Sequence, residues 1–249
     1  MNLNEIKQLA EQSKGHVDMG KYANMRVVWA YDPINKNQHM WWGKEQPYYK
    51  FTYLLTNKYP GIYLEIGTHR GINFACAAAG QDGLDNRFAI GIDVDRHHDA
   101  VDVGEQYPNG AKFIHGSSIS PDSVKEVENI CAKTKSRISI IMIDACHKKS
   151  WVESEIKAYK HLFADEVIIM MDDIIFADNN TYLAPMFHEL PGQKVTFPNL
   201  HTDNRVGVIL TSFNEYKNWD PGTYSPEDME RGYRIGYKPS ITSWGDGYK

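Results

Sequence analysis

The sequence has little excess charge of either sign, and the small excess is negative. Its 249 residues include 27 Lys and Arg against 32 Asp and Glu, a formal net charge of −5. A protein that binds nucleic acid needs a basic surface for phosphate contacts, so this balance disfavours nucleic-acid partners. No apolar run approaches the roughly 20 residues that span a bilayer, and residues 1–20 have no hydrophobic signal core. We therefore expect a cytoplasmic protein that has no membrane partner.

Cysteine is also scarce. The three cysteines, Cys76, Cys131 and Cys146, are too few and too scattered for a disulfide framework or a paired-cysteine zinc site, and they fit a reducing compartment. The sequence has no internal repeat and no low-complexity segment. Its 42% hydrophobic and 24% charged residues are typical of a globular protein and exclude disorder, collagen and coiled coil. A homo-oligomer is compatible with this composition.

Short apolar runs alternate with helical patterns from residue 59 onward, which is typical of βαβ units and a parallel sheet. The predicted strands lie at 62–66, 88–92, 112–114, 138–143 and 167–171. The predicted helices lie near 71–80, 96–107, 121–134 and 149–163. Beyond a short helix that ends near residue 190, two more strands are predicted at 194–197 and 206–211. The sequence thus predicts an α/β fold with a mostly parallel sheet and a C-terminal antiparallel strand pair.

The first 57 residues have a different pattern. Residues 4–11 are weakly helical, residues 25–31 fit a strand, and Tyr48, Phe51, Leu55 and Tyr59 form a helical stripe. We predict a small N-terminal cap or lid at 1–57 and a main domain at 58–249. Within this cap, the tyrosines and tryptophans, Trp41 and Trp42 first, are placed either to close over a substrate and exclude water or to pack in the core of a lid.

A glycine-containing turn follows the first predicted strand. It reads Glu65-Ile66-Gly67-Thr68-His69-Arg70-Gly71 and leads into a helix of small residues. The glycines permit a sharp turn and a close approach of the backbone to a ligand. The pattern is not the GxGxxG of dinucleotide-binding proteins, and an acid in the turn would repel a pyrophosphate. Glu65, Gly67 and Gly71 are therefore candidates to bind a ligand with a cationic end, such as the amino group of S-adenosylmethionine. A plain strand-to-helix turn is the alternative.

Two further candidates follow the second and third predicted strands. Asp93 lies 22 residues beyond Gly71, near the spacing at which an acid accepts hydrogen bonds from ribose hydroxyls. The alternative for Asp93 is a helix cap, which is the interpretation we favour for Asp95. Ser117 follows the third strand, where its loop is placed to present a backbone N–H and a hydroxyl to an adenine edge. Capping of the helix before Pro121 is the alternative for this loop.

Acidic residues and a histidine follow the fourth and fifth predicted strands, as Asp144, His147, Asp172 and Asp173. Neighbouring parallel strands lie about 4.8 Å apart and end at one edge of the sheet, so these carboxylates would repel one another unless a cation lay among them. Oxygen donors suit Mg²⁺, or else Mn²⁺ or Ca²⁺. His147 lies one helical turn from Asp144 and is a candidate general base. The alternatives are that Asp144 caps a helix, that one acid of the pair points away, and that His147 is structural.

With these motifs the sequence resembles class I S-adenosylmethionine-dependent methyltransferases. More narrowly, it is similar to the metal-dependent group of macrocin- and mycinamicin-type sugar O-methyltransferases and cephalosporin-hydroxylase-like proteins. The resemblance covers about residues 58–211 and is carried by Glu65-x-Gly67-x-x-x-Gly71, Asp93, Asp144-x-x-His147 and Asp172-Asp173. It implies a Rossmann-like methyltransferase fold, Mg²⁺ held by Asp144, Asp172 and Asp173, and His147 as the base. Cys146 and Lys148 depart from the Gly and Tyr that the group often has there, and Asp172 replaces a Glu.

The function predicted from the sequence is Mg²⁺-dependent transfer of a methyl group from S-adenosylmethionine to a hydroxyl of a small molecule, a sugar or a natural-product intermediate. One alternative is a metal-independent N- or O-methyltransferase in which the acids are structural. A nucleotide-binding oxidoreductase is a second alternative, disfavoured by Glu65 and by the lack of a GxGxxG motif. A binding protein without catalysis is the third, and the clustered acids disfavour it.

Overall fold

The computed structural model describes residues 1–19, 47–175, 183–197, 200 and 205–229. Trp41, Trp42 and the strand predicted at 25–31 lie outside these residues. Within the described ranges, every helix is too short or too polar to cross a membrane.

Helices and strands alternate along the main part of the chain. The principal helices are α1 (Leu3–Ser13), α2 (Pro47–Lys58), α3 (Ile72–Gln81), α4 (His98–Gln106), α5 (Pro121–Thr134), α6 (Lys149–Tyr159), α7 (Leu183–Glu189) and α8 (Phe213–Tyr216). The strands are β1 (Gly61–Ile66), β2 (Arg87–Asp93), β3 (Ala111–His115), β4 (Ile138–Ile143), β5 (Phe163–Ile175), β6 (Gln193–Phe197) and β7 (Arg205–Thr211).

The strands form one seven-stranded sheet in the order β3-β2-β1-β4-β5-β7-β6. The first five strands run parallel, whereas β7 runs antiparallel to both β5 and β6. Both the parallel sheet and the C-terminal antiparallel pair confirm the sequence prediction. The strand order reverses direction between β1 and β4, which is the position where open α/β sheets bind their ligands.

Side-chain alternation along the strands divides the core into two layers. Tyr63 on β1 belongs to the layer that also contains α2 and α3, whereas Ile62 and Leu64 belong to the layer on the other face, with α5 and α6. In β4 every residue is buried, because helices cover both faces of this central strand. The sheet therefore holds its carboxyl-terminal edge in a fixed position between two packed layers.

The N-terminal helices pack on one face of the sheet. The stripe predicted for α2 is confirmed, since Tyr48, Phe51, Leu55 and Tyr59 are all buried there. These side chains share a hydrophobic cluster with α3 and with Met142 of β4. The division into a cap at 1–57 and a main domain at 58–249 stays a prediction.

The largest difference from the predicted elements lies between α6 and β5. A helix was expected over 149–163, but α6 ends at Tyr159, a single 3-10 turn follows, and β5 begins at Phe163. Arg137 explains the early end, because its guanidinium donates to the carbonyl oxygens of His161 (2.7 Å) and Phe163 (2.6 Å). These bonds fix the chain beside the start of β4 and leave Phe163 paired with Ile138 in the sheet.

Candidate active site

The predicted site residues lie at the carboxyl-terminal edge of the sheet, at the ends of β1 to β5. Backbone hydrogen bonds continue from the strands into the turns that follow them. The N–H of Asp144 donates to the carbonyl oxygen of Ile66 (2.9 Å), and the N–H of Gly67 donates to that of Ile92 (2.9 Å). The turns after β1, β2 and β4 are therefore locked together.

Gly67 and Gly71 both have a positive φ, +87° and +83°. A Cβ at Gly67 would lie 2.2 Å from the carbonyl oxygen of Asp144, and one at Gly71 would lie 2.8 Å from Cα of Ala100. Both positions therefore require glycine, because the backbone is left-handed there and a side chain would clash with a neighbouring backbone segment. This packing brings the turn after β1 against Asp144, the first of the predicted metal ligands.

Glu65 lies beneath the turn, with 2% of its surface exposed. Its carboxylate accepts hydrogen bonds from the Tyr63 hydroxyl, from Nδ2 of Asn73 (3.0 Å) and from the backbone N–H of Phe74. Burial raises the pKa of Glu65 to about 8, against the opposing effect of the Tyr63 and Asn73 hydrogen bonds. In the ligand-free protein Glu65 is therefore mostly uncharged near pH 7, and a cation bound above it would favour the ionised form.

The raised pKa of Glu65 predicts that the ligand-free protein loses stability as the pH rises. The folded state keeps the proton up to about pH 8, whereas the unfolded chain releases it near 4.5. This contribution is complete below pH 4.5 and is lost as the pH rises through 8. For Glu65→Gln, the slope of unfolding free energy against pH should change by up to about 1.4 kcal/mol per pH unit in this window. Urea unfolding at pH 5, 6, 7 and 8 measures it, and parallel curves for the two proteins would contradict the assignment.

Asp93 ends β2 and organises the turn after β1. Its Oδ2 accepts the backbone N–H of His69 (2.6 Å), and its Oδ1 accepts that of Asp95 (2.8 Å). His69 has a φ of +47°, a left-handed conformation that is costly for a residue with a side chain, and the bond to Asp93 stabilises it. Each carboxylate oxygen can accept a second hydrogen bond, so Asp93 keeps the capacity to bind hydroxyls. The cap predicted for Asp95 is wrong, since α4 begins at His98 with His97 in the capping position.

Ser117 lies in the loop between β3 and α5 and is half-buried. The helix cap that was its alternative role is made by Ser120, whose side chain accepts the backbone N–H of Ser123 (3.2 Å). Pro121 occupies the first turn of α5, as expected for a residue without an N–H. Ser117 therefore does not cap α5, and its contact with the adenine edge stays a prediction.

Asp144, which follows β4, and Asp173, near the end of β5, both lie close to His147. Nε2 of His147 lies 3.6 Å from Oδ2 of Asp173 and 3.9 Å from Oδ1 of Asp144. A ring N–H of His147 donates to the backbone carbonyl of Asp172. The histidine therefore bridges the ends of β4 and β5, although Asp144 and Asp173 are 29 residues apart in sequence.

A backbone kink brings both acids of the pair to this edge. In a regular strand Asp172 and Asp173 would face opposite sides of the sheet. Asp173 has a φ of +54°, and the pairing of β5 with β7 shifts register between Met171 and Ile175. Asp172 is buried at 3% exposure while Asp173 faces His147, and the charges of both acids act on Asp144.

The clustered carboxylates make the site electrostatically unfavourable when no cation is bound. Burial raises the pKa of Asp144, and the charges of Asp172, Asp173, Glu65 and Asp93 raise it further, in that order. Burial also raises the pKa of Asp172 to about 6. A bound cation would relieve this repulsion and lower both pKa values.

Burial lowers the pKa of His147 to about 4, although its bond to the Asp172 carbonyl acts in the opposite direction. The imidazole is therefore neutral at physiological pH and able to accept a proton. If it did so, the carboxylates at 3.6 and 3.9 Å would stabilise the imidazolium.

The donor chemistry of the cluster fits a hard divalent cation, since Asp144, Asp172 and Asp173 offer only oxygen ligands. Burial and then the charges of Asp172 and Asp173 raise the pKa of Asp144, so a cation among these acids would be stabilised. In the side-chain positions that the structure describes, however, no three His, Cys, Asp or Glu residues are close enough together to hold a metal ion. The cluster therefore has oxygen ligands suited to a divalent cation, but binding of an ion would require these carboxylates to move closer together.

Two tyrosines of α2 face the acids, which the sequence analysis did not anticipate. Burial, followed by the charges of Asp172 and Asp144, raises the pKa of Tyr48 well above its usual value, and the same carboxylates act on Tyr49. The Tyr48 hydroxyl also donates to Sδ of Met142 (3.5 Å) in β4. The helical stripe predicted the burial of Tyr48 but did not include Tyr49, and periodicity alone does not place α2 beside these acids.

The segment after α8 covers the outer side of α6. Lys157 forms an ion pair with Asp220 (2.7 Å), and Nε1 of Trp151 donates to the carbonyl of Met229 (3.1 Å). That carbonyl also accepts from Nζ of Lys148 (3.5 Å), the residue after His147. The described part of this segment therefore runs antiparallel to α6, and its last residue, Met229, lies beside Lys148.

Comparisons with known proteins find solved structures with a similar Rossmann-like fold. An O-methyltransferase from Bacillus cereus, solved with S-adenosylhomocysteine, is similar over 84% of this chain and 90% of its own, with a TM-score of 0.50 and 16% identity. The O-methyltransferase TomG from Streptomyces achromogenes is similar over 82% of this chain and 90% of its own, with a TM-score of 0.49 and 11% identity. No curated protein matches the sequence.

The family follows from the sequence itself. The model of the rhamnosyl O-methyltransferase/CmcI family matches residues 42–193, more than half of the chain and every predicted site residue. The protein therefore belongs to this family and is an S-adenosylmethionine-dependent O-methyltransferase.

Proposed function

We propose that the protein transfers a methyl group from S-adenosylmethionine to a hydroxyl of a small molecule, a sugar or a natural-product intermediate, with the help of Mg²⁺. The observation that carries the proposal is the convergence of five acids and His147 on one edge of the sheet. The description of the family, which names a rhamnosyl O-methyltransferase, favours a sugar hydroxyl. A cytoplasmic location and a small-molecule partner remain predictions.

The residues at the ends of β1, β2 and β3 would hold the cofactor. Glu65 would favour its ammonium group, Gly67 and Gly71 shape the turn beside it, and Asp93 would accept the ribose hydroxyls. Ser117 would contact the adenine edge. Among these residues, the geometry of Asp93 fits the proposed role best, because its carboxylate is half-buried and is already held in one orientation by two backbone N–H groups.

The metal would be held by Asp144, Asp172 and Asp173. When bound, S-adenosylmethionine supplies the methyl group and Mg²⁺ lowers the pKa of a substrate hydroxyl. His147 would take the hydroxyl proton, since it is neutral near pH 7 and has two carboxylates nearby to stabilise the charge it gains. Tyr48 and Tyr49 shield the acids from water on the α2 side.

A metal-independent mechanism is the second candidate. It is favoured by the observation that, among the described residues, the acids do not form a set of three metal donors. In that case Asp144 and Asp173 would serve only to stabilise the protonated His147. Activity without divalent cations distinguishes the two mechanisms.

Thermal unfolding with two ligands tests the proposed cofactor. S-adenosylhomocysteine at 100 times its dissociation constant should stabilise the folded protein by about 2.7 kcal/mol and raise the melting temperature. NAD at the same concentration should leave the melting temperature unchanged, because Glu65 and the turn after β1 do not suit a pyrophosphate. The reverse pattern would favour an oxidoreductase.

Removal of the Asp93 carboxylate should weaken binding of S-adenosylhomocysteine. Asp93→Ala loses hydrogen bonds to a charged acceptor, worth about 1.5–3 kcal/mol, which is a ten- to hundredfold rise in the dissociation constant. Calorimetric titration measures the change. Asp95→Ala is the matched control, because Asp95 is exposed in the same turn. Equal affinities for the Asp93 variant and the wild type would show that the carboxylate does not contact the ribose.

A further inference from the structure

The loop after β3 is held from below by α6. Oγ of Ser118 donates to Oε1 of Glu155 (2.7 Å), and the Tyr159 hydroxyl donates to the backbone carbonyl of Ser118. All three residues are buried, Glu155 with 1% of its surface exposed. The position of the loop, including the neighbouring Ser117, therefore depends on side chains that approach no ligand themselves.

The buried carboxyl of Glu155 has fewer hydrogen-bond partners than its two oxygens can accept. Its Oε2 is buried and has no hydrogen-bond partner, so only the bond from Ser118 compensates for the loss of water. Burial raises the pKa of Glu155 to about 8, against the effect of that hydrogen bond. A buried polar atom without a partner destabilises a fold, so an apolar residue of similar size would suit the packing of α6 at least as well.

Through its bond with Ser118, Glu155 contacts the loop that carries Ser117 and Ser118, at the same edge of the sheet as the cofactor residues proposed above. Since Ser120 caps α5, the bond from Ser118 to Glu155 is not needed to start that helix.

We propose that Glu155 is a positioning residue for cofactor recognition: by holding Ser118 it fixes the loop that contacts the adenine edge, and so sets the preference for adenine over other bases. This inference rests on the proposed function, in which the loop of Ser117 contacts the cofactor base. It explains why a partly satisfied carboxyl occupies a buried position on α6.

The test compares two cofactor products that differ only in the base. S-adenosylhomocysteine and S-inosylhomocysteine, in which a carbonyl replaces the 6-amino group, are titrated against the wild type, Glu155→Met and Glu155→Gln. The wild type should prefer the adenine compound. Glu155→Met should bind it about five- to tenfold more weakly and lose most of the preference, as expected when one oriented hydrogen-bonding loop is released. Glu155→Gln, which keeps an acceptor for Ser118, should stay near the wild type.

Thermal unfolding separates this role from a structural one. Glu155→Met should melt at the wild-type temperature or above it, whereas a residue that only stabilises the fold should lower the melting temperature when it is replaced. Glu153→Met is the matched control, because Glu153 is a buried carboxylate on the same helix that bonds to Tyr224 rather than to the loop. Its base preference should be that of the wild type.

Ser118→Ala is a second variant that removes the same bond. It should reproduce the loss of preference, also if Glu155→Met does not fold. Wild-type affinity and preference in both Glu155→Met and Ser118→Ala would overturn the proposed role, as would a lower melting temperature with unchanged preference. A wild-type protein that binds neither compound would instead contradict the proposed function, on which the inference rests.

Discussion

Removal of divalent cations with EDTA is expected to stop methyl transfer and to leave binding of S-adenosylhomocysteine almost intact. The reason is that the proposed metal ligands and the proposed cofactor-binding residues lie on different strands. Asp144, Asp172 and Asp173 lie at the ends of β4 and β5, whereas Asp93 and Ser117 lie at the ends of β2 and β3. Addition of excess Mg²⁺ should restore full turnover. Rates in EDTA and after Mg²⁺ addition, with calorimetry of S-adenosylhomocysteine under both conditions, measure the effect.

The matched variant for this experiment is Asp144→Asn, which keeps the size of the side chain and removes its charge. With a metal in the site it should lower turnover strongly, and part of the loss should be recovered at high Mg²⁺ concentration. In the metal-independent mechanism the charge repulsion within the cluster would decrease and the protein should become more stable. Turnover should then fall only through the loss of one carboxylate beside His147, and it should not respond to the Mg²⁺ concentration. Full turnover of the wild type in excess EDTA would rule out the metal.

The second large effect is expected for His147→Ala, which should lower turnover about 10²- to 10⁴-fold if the imidazole takes the substrate proton. Affinity for S-adenosylhomocysteine should hardly change, since the described contacts of His147 are with Asp144, Asp172 and Asp173. His161→Ala is a suitable control, because His161 is exposed beyond the far end of α6 and pairs with Glu128. That variant should keep wild-type turnover.

Turnover as a function of Mg²⁺ concentration distinguishes a base from a metal ligand. For a base, the His147→Ala curve should saturate at a low plateau with an unchanged midpoint. For a ligand, the midpoint should shift to higher Mg²⁺ while the plateau returns to normal. A curve like that of the wild type would show His147 to be structural, and the proton would then leave by another route.

The sequence predicted the sheet and the location of the site because both depend on local patterns. Continuous apolar runs such as 138–143 predict central strands, and the carboxyl ends of neighbouring parallel strands share one edge. Once the strands were placed, Asp93, Asp144 and Asp172 had to lie at that edge. The boundaries of α4 and α6 were wrong, since they depend on tertiary bonds such as those from Arg137.

Other features of the site depend on long-range contacts that periodicity does not encode. The kink at Asp173 needs a left-handed residue other than glycine, for which the sequence gives no signal. Glu65 looked open to a ligand, yet Tyr63 lies two residues before it on the same face of β1 and donates to it. That spacing was a usable signal. The contact between Glu155 and Ser118 joins residues 37 apart and could not be foreseen.

A crystal structure with S-adenosylhomocysteine and Mg²⁺ tests the central claim most directly. We expect the ligand at the carboxyl-terminal edge of the sheet, with its ribose on Asp93 and its adenine beside Ser117, and Mg²⁺ among Asp144, Asp172 and Asp173. A cavity of about 750 Å³ lies beside edge strand β3, lined by Arg96, Phe113 and Lys133 among others, and none of the proposed cofactor or metal residues lines it. Binding of S-adenosylhomocysteine in that cavity, with the acidic edge empty, would contradict the assignment of the site.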